Sequence, residues 1–145
     1  MRRILVTGSR NWIHPQTVEV MVWEAIRGQY PVTIVHGGAA GADSHASALC
    51  KPYKHHSDLQ EEVHRPDYQA HGNKAPHVRN SLMVSLGADV CLAFIRDNSN
   101  GASSTAQKAY DAGIPVYEFH YNTDTDEVIA YYRNKNEGID GRNDE

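Results

Sequence analysis

Short aliphatic runs alternate along the chain with longer segments in which apolar positions recur every three or four residues. Residues 3–7 (RILVT), 32–36 (VTIVH), a weaker 61–65 (EEVHR), 89–95 (DVCLAFI) and 115–119 (PVYEF) read as strands. Their hydrophobicity is continuous rather than alternating, as strands covered on both faces require. Pro15 suits the first turn of a helix and precedes QTVEVMVWEAIRG, which runs to Gly28. Further helices are predicted in ADSHASALC (42–50), in APHVRNSLMVSLG ending at Gly87, and in ASSTAQKAYDAG ending at Gly113. A last one is predicted in TDTDEVIAYYR, which carries Val128, Ile129 and Tyr132 on one helical face. Residues 51–60 fit a helix end or a loop equally well. Strict alternation of strand and helix predicts an α/β doubly wound domain of about five mainly parallel strands, with helices on both faces.

The chain has 145 residues, enough for one ordinary domain, expected over residues 1–133. Residues 134–145 (NKNEGIDGRNDE) hold one aliphatic side chain among many polar ones and are expected to form a disordered tail. With 14 Lys and Arg against 18 Asp and Glu, the net charge of −4 provides no global field to attract nucleic acid, so an anion must be caught locally. Cys50 and Cys91 lie in apolar surroundings and read as reduced, buried thiols. The apolar run after Arg2 and Arg3 is too short for a signal peptide, and no segment approaches a membrane span. A cytoplasmic protein is expected.

In such sheets, ligands bind beyond the carboxyl ends of the strands, so the strand-to-helix turns are the places to look. After the first strand, Gly8 permits a sharp turn, Ser9 offers a hydroxyl and Arg10 a planar fork for phosphate or carboxylate. After the second, HGGAAGAD puts Gly37, Gly38, Ala39 and Gly41 ahead of a helix start, where unpaired amides and the helix dipole attract an anion. It is neither a Walker loop nor G-x-G-x-x-G, and small residues at a crowded junction account for it nearly as well. Asp43 fits an N-terminal cap, or a ribose hydroxyl acceptor. Asp67, Tyr68, Arg79 and Asn80 form a polar group after the third strand, with Tyr68 placed to stack on a base. Gly101, Ser103 and Ser104 follow the fourth strand and suit a second phosphate or ribose contact. Nine histidines are present, yet none falls in metal-ligand spacing, and no metal or cofactor is expected.

In order and spacing, ILVTGSRNW, HGGAAGADSHA, HRPDYQAHGNKAPHVRNSLMV, GADVCLAF and AYDAGIPVY resemble the YspA-like branch of the SLOG superfamily, from about residue 3 to 117. That resemblance implies a three-layer Rossmann-like fold, related to the LOG phosphoribohydrolases and to the DNA-processing protein A. It implies a nucleotide-derived ligand with phosphate at the glycine turn, and a homodimer or higher homo-oligomer, to which Tyr131 and Tyr132 would contribute unless they simply cover the sheet. LOG hydrolases carry R-K-x-x-M, to which RNSLM is similar. Arg79 therefore takes the place of a catalytic arginine, and Asn80 stands where the lysine would be. Their second motif, P-G-G-x-G-T-x-x-E, is eroded: Gly101 matches a glycine, Ala102 replaces the threonine, and Thr105 stands at the glutamate. A threonine cannot assist departure of an oxocarbenium ion as a carboxylate would. The expectation is a nucleotide-binding or sensing domain. The alternatives are an N-glycoside hydrolase acting on a nucleoside monophosphate or NAD-like substrate, and a single-stranded nucleic-acid binder.

Overall fold

The computed structural model describes residues 2–142. In chain order the strands are β1 (Arg2–Gly8), β2 (Val32–His36), β3 (Leu59–Val63), β4 (Val90–Arg96), β5 (Val116–Asn122), β6 (Glu127–Asn134) and β7 (Ile139–Arg142). The helices are α1 (Pro15–Ile26), α2 (Ala42–Cys50), a single turn α3 (Tyr68–His71), α4 (Ala75–Ser85) and α5 (Asn100–Asp111). They form an α/β structure around one sheet of order β3-β2-β1-β4-β5-β6-β7. The first five strands in that order are parallel, while β5–β6 and β6–β7 are antiparallel.

Two cores flank the sheet, because strands buried on both sides send alternate residues each way. Ile4, Val6 and Ile34 meet Val18, Val22 and Ile26 of α1 and Ala42, Ala46 and Cys50 of α2 on one face. Leu5, Val35, Ala93 and Ile95 meet Met83 and Val84 of α4 and Ala102, Ala106 and Ala109 of α5 on the other. Both cysteines are free and buried, and burial pushes each thiol up to about 12. The ambiguous stretch 51–60 resolves into a 3-10 turn, Lys51–Tyr53, a loop, and the start of β3 at Leu59. That strand lies two residues earlier than its sequence pattern suggests, because buried Leu59 pairs with Val32 and anchors the register.

Two expectations are corrected. The segment expected as a helix with Val128, Ile129 and Tyr132 on one face is strand β6. A tight turn produces it: the Asn122 side chain accepts the Asp124 and Thr125 amides, and Asp126 takes a φ of 54°. Beyond the turn, β-branched and aromatic residues alternate sides as a strand requires. Tyr132 packs against Tyr117 with ring centres 4.7 Å apart and the rings tilted by 36° on one face, while Tyr131 meets His120 edge-on at 4.9 Å on the other. The presumed tail is also structured as far as residue 142. Asn134 and Ile139 pair to start the β6–β7 hairpin, and Asn136 donates to the Gly113 carbonyl at 3.2 Å. Residues 143–145 of that expected tail lie outside the described residues.

The glycines at the strand exits differ in what holds them. Gly41 sits at φ 76°, and a Cβ there would stand 2.6 Å from the Arg10 carbonyl oxygen. Gly101 has no heavy atom within 4 Å of such a Cβ and lies in the first turn of α5. Gly41→Ala is therefore expected to cost roughly 3 kcal/mol in urea unfolding, whereas Gly101→Ala should leave stability unchanged or raise it by up to about 1 kcal/mol.

Candidate functional site

The turns after β1, β2, β3 and β4 gather along the rim formed by the carboxyl ends of the parallel strands. Ser9 is buried there. Its amide donates to the Phe94 carbonyl at 2.8 Å, and its Oγ accepts the Arg96 amide at 2.8 Å. Ser9 thus joins β1 to β4. A Cβ on Gly8 would collide with Ala42 and stand 2.8 Å from the Phe94 carbonyl oxygen. Small residues at Gly8, Gly41 and Ala42 are what let the start of α2 press against the end of β1.

The glycine turn after β2 is tied down from within. Oδ2 of Asp43, in the first turn of α2, accepts the Gly37 amide at 3.0 Å and the Ala39 amide at 3.3 Å. The Gly38 amide donates at 3.0 Å to Nδ1 of His36, so the ring proton lies on Nε2, which donates to Glu61. The Gly37, Gly38 and Ala39 amides, expected to cradle a phosphate, are thus already engaged by side chains of the chain itself. The amides left without an intrahelical acceptor are those of the first turn of α2, Ala42 to Ser44.

Arg79 closes the turn from beneath. It is buried on α4, donates through Nη1 to the Gly37 and His64 carbonyls, and donates through Nε to Asn80 Oδ1 at 2.6 Å. Gly37 must lack a side chain because the guanidinium fills the space a Cβ would need. Burial pushes the Arg79 guanidinium below its ordinary value, with Asp43 and Tyr68 opposing and Arg10 adding to the shift. Burial likewise pushes the Asp43 carboxyl up, against the Ala39 and Gly37 amides and Arg79, which favour its charge. Asp43 is only 5% exposed, and its Oδ1 has no hydrogen-bond partner.

The remaining sequence-derived residues separate into those near the loop and those away from it. Asp67 caps α3 by accepting the Ala70 amide at 3.1 Å, and Tyr68 beside it is 52% exposed. Gly101, Ser103 and Ser104 open α5, where Ser103 bonds to Ser99 through its amide. Thr105, at the position of the missing glutamate, is fully buried and donates Oγ1 to the Gly101 carbonyl at 3.1 Å.

The sequence reading missed a cavity of about 380 Å³ between α2 and the exit of β3, lined by His36, Asp43, Ser44, Ser47, Lys51 and Arg65 among others. Arg65 arches over the turn, donating to the Gly38 carbonyl at 3.3 Å. Hydrogen bonds from Ser47 and His36 outweigh burial and hold Glu61 below the usual carboxylate value. A histidine ending an otherwise apolar strand just before two glycines is the signal that would have revealed it. Among the described residues, no three His, Cys, Asp or Glu side chains are grouped to hold a metal ion, and no helix is long and apolar enough to cross a membrane.

Comparison with known proteins sets this site in a lineage. The chain is 43% identical over 121 residues to the Gene 61 protein of Mycobacterium phage D29, a match covering 82% of this chain and 97% of that protein. It belongs to the Gene 61 protein family. No family model matches the chain.

Two features of this Gene 61 relative invite direct measurement. Arg79→Met leaves the buried Gly37 carbonyl and the part-buried His64 carbonyl without their donor, and should lower stability in urea unfolding by roughly 3 kcal/mol. On β3, bidentate hydrogen bonds from Arg3, with a further one from His64, hold Glu62 at about 2 against an ordinary 4.5. A depressed carboxylate stabilises the fold fully above its unfolded value, and that contribution fades as pH falls toward 2. Thermal melts from pH 5 to pH 2 should therefore fall less steeply for Glu62→Gln than for the unaltered chain.

Proposed function

We propose that this chain is a binding or sensing domain for a nucleotide or nucleotide-derived ligand, with the phosphate held at the N-terminal turn of α2. The observation that carries this reading is the cavity at that turn. Lys51 and Arg65 line it together with the hydroxyls of Ser44 and Ser47, and the first-turn amides of α2 lie beside it. A helix N-terminus with a nearby guanidinium is the arrangement that phosphate recognition uses, and Lys51 adds an ammonium group at the other end of α2. The reading moves the phosphate a few residues along from Gly37, Gly38 and Ala39, whose amides are engaged by Asp43 and His36.

The strand order β3-β2-β1-β4-β5, which reverses direction between β1 and β4, supports a Rossmann-like doubly wound assignment for the parallel part of the sheet. Membership of the YspA-like branch of the SLOG superfamily, a homo-oligomer and a cytoplasmic location are parts of the same proposal and rest on the resemblance of the motifs. Binding is favoured over hydrolysis. Arg79 is committed to backbone carbonyls, and the Thr105 hydroxyl to its own helix. The net charge of −4 favours a small ligand over a nucleic acid.

A panel of nucleoside mono- and diphosphates, ADP-ribose and ribose 5-phosphate should contain at least one compound that raises the melting temperature in a concentration-dependent way. The double variant Lys51→Ala, Arg65→Ala should weaken that compound by roughly tenfold or more. No shift across the panel at millimolar concentration would reject the reading.

A further inference from the structure

Asp43 has one carboxylate oxygen more than the loop requires. Oδ2 alone receives the Gly37 and Ala39 amides, a task the carbonyl of an asparagine would perform without placing a charge in the interior. Oδ1 is buried and has no donor, although buried polar groups are almost always paired. The neighbouring cation does not supply one: Arg79 directs Nε and Nη1 to Asn80, Gly37 and His64, and no hydrogen bond joins it to Oδ1. Nor does His36: its single ring proton goes to Glu61. Asp43 lines the same cavity as Ser44, Lys51 and Arg65.

We propose that Oδ1 of Asp43 accepts a hydrogen bond from a sugar hydroxyl of the ligand, so that the cavity recognises a hydroxylated sugar phosphate and discriminates against its deoxygenated analogue. The inference rests on the phosphate reading above and adds the chemistry of the group next to the phosphate. The donor is a neutral hydroxyl and not an ammonium. Lys51, Arg65 and the positive end of α2 would repel a second cation at the cavity, while they attract the phosphate attached to the sugar. The carboxylate and the phosphate coexist because they face different donors: the hydroxyl lies between them, and the first-turn amides receive the phosphate oxygens. A site built to bond a hydroxyl rejects the analogue without it, because the buried acceptor is then left unpaired.

The test uses the full chain and three probes: ribose 5-phosphate, tetrahydrofurfuryl phosphate, which has the same ring without hydroxyls, and inorganic phosphate. Affinities are followed by amide shifts in NMR titrations. Ribose 5-phosphate should bind roughly tenfold or more tightly than tetrahydrofurfuryl phosphate. In Asp43→Asn, whose carbonyl can keep the two loop amides while its amino group faces the cavity, that ratio should fall to within about twofold. Equal binding of the two sugar-ring phosphates by the unaltered chain overturns the hydroxyl inference and leaves the phosphate reading standing. So does an Asp43→Asn chain that keeps the full preference. Failure of all three probes and of the nucleotide panel removes both. If Asp43→Asn does not fold, as judged by its melting temperature, the ratio for the unaltered chain decides alone.

Discussion

The site depends on a carboxylate turned back on its own loop. Asp43 stands in the first turn of α2 and receives, on one oxygen, two amides from the residues that lead into that helix. The bond is local in sequence but has long-range effects. It fixes the angle at which the chain leaves β2, and so where the N-terminus of α2 points. Arg79 braces the same turn from the opposite side of the sheet by holding the Gly37 carbonyl. Of the Gly37, Gly38 and Ala39 amides, His36 holds the one that Asp43 does not. Three side chains from β2, α2 and α4 thus determine a turn whose glycines would otherwise leave it free.

This bracing changes the meaning of a glycine-rich strand-to-helix turn. Such a turn suggests backbone amides awaiting an anion, but here the chain brings its own anion to two of the first three and a histidine ring to the other. Gly37 lacks a side chain because a guanidinium occupies the space, and Gly41 because two backbone carbonyls do. Gly101 is crowded by nothing. The same residue type therefore serves packing at two of these positions and has no steric reason at the third.

The α/β class, the five parallel strands and four of the helices were legible because continuous aliphatic runs and helical spacing are local signals. The last strands were not. Val128, Ile129 and Tyr132 satisfy helical spacing and strand alternation alike, and the decision falls to the Asn122 turn and to pairing with β5, which are tertiary facts. At the site, the sequence marked Gly37, Asp43, Arg79 and Asn80, and the structure brings them into one hydrogen-bonded unit. It did not mark His36, Glu61 or Arg65, because the His36–Glu61 and Arg65–Gly38 contacts join residues 25 and 27 positions apart. Ser9 carries a hydroxyl that looked available, but the Arg96 amide claims it, which no spacing rule reveals.

The distribution of charge completes the argument about what the site can hold. By composition the chain is acidic, yet the acids around the sheet are closed on partners within the fold. Glu61 faces His36 and Ser47, Glu62 faces Arg3 and His64, and Glu118 faces His120 and Arg133, whose hydrogen bonds hold it below the usual value despite burial. Around the turn after β2, Arg10 and Arg65 are exposed, as is Lys51 at the far end of α2. Exposed charges beyond about 10 Å are screened at ordinary ionic strength, so an approaching anion responds to that nearby group and not to the total. A net charge of −4 and a cationic pocket are therefore compatible in one small domain. The single acid inside the pocket is the one whose second oxygen has no partner.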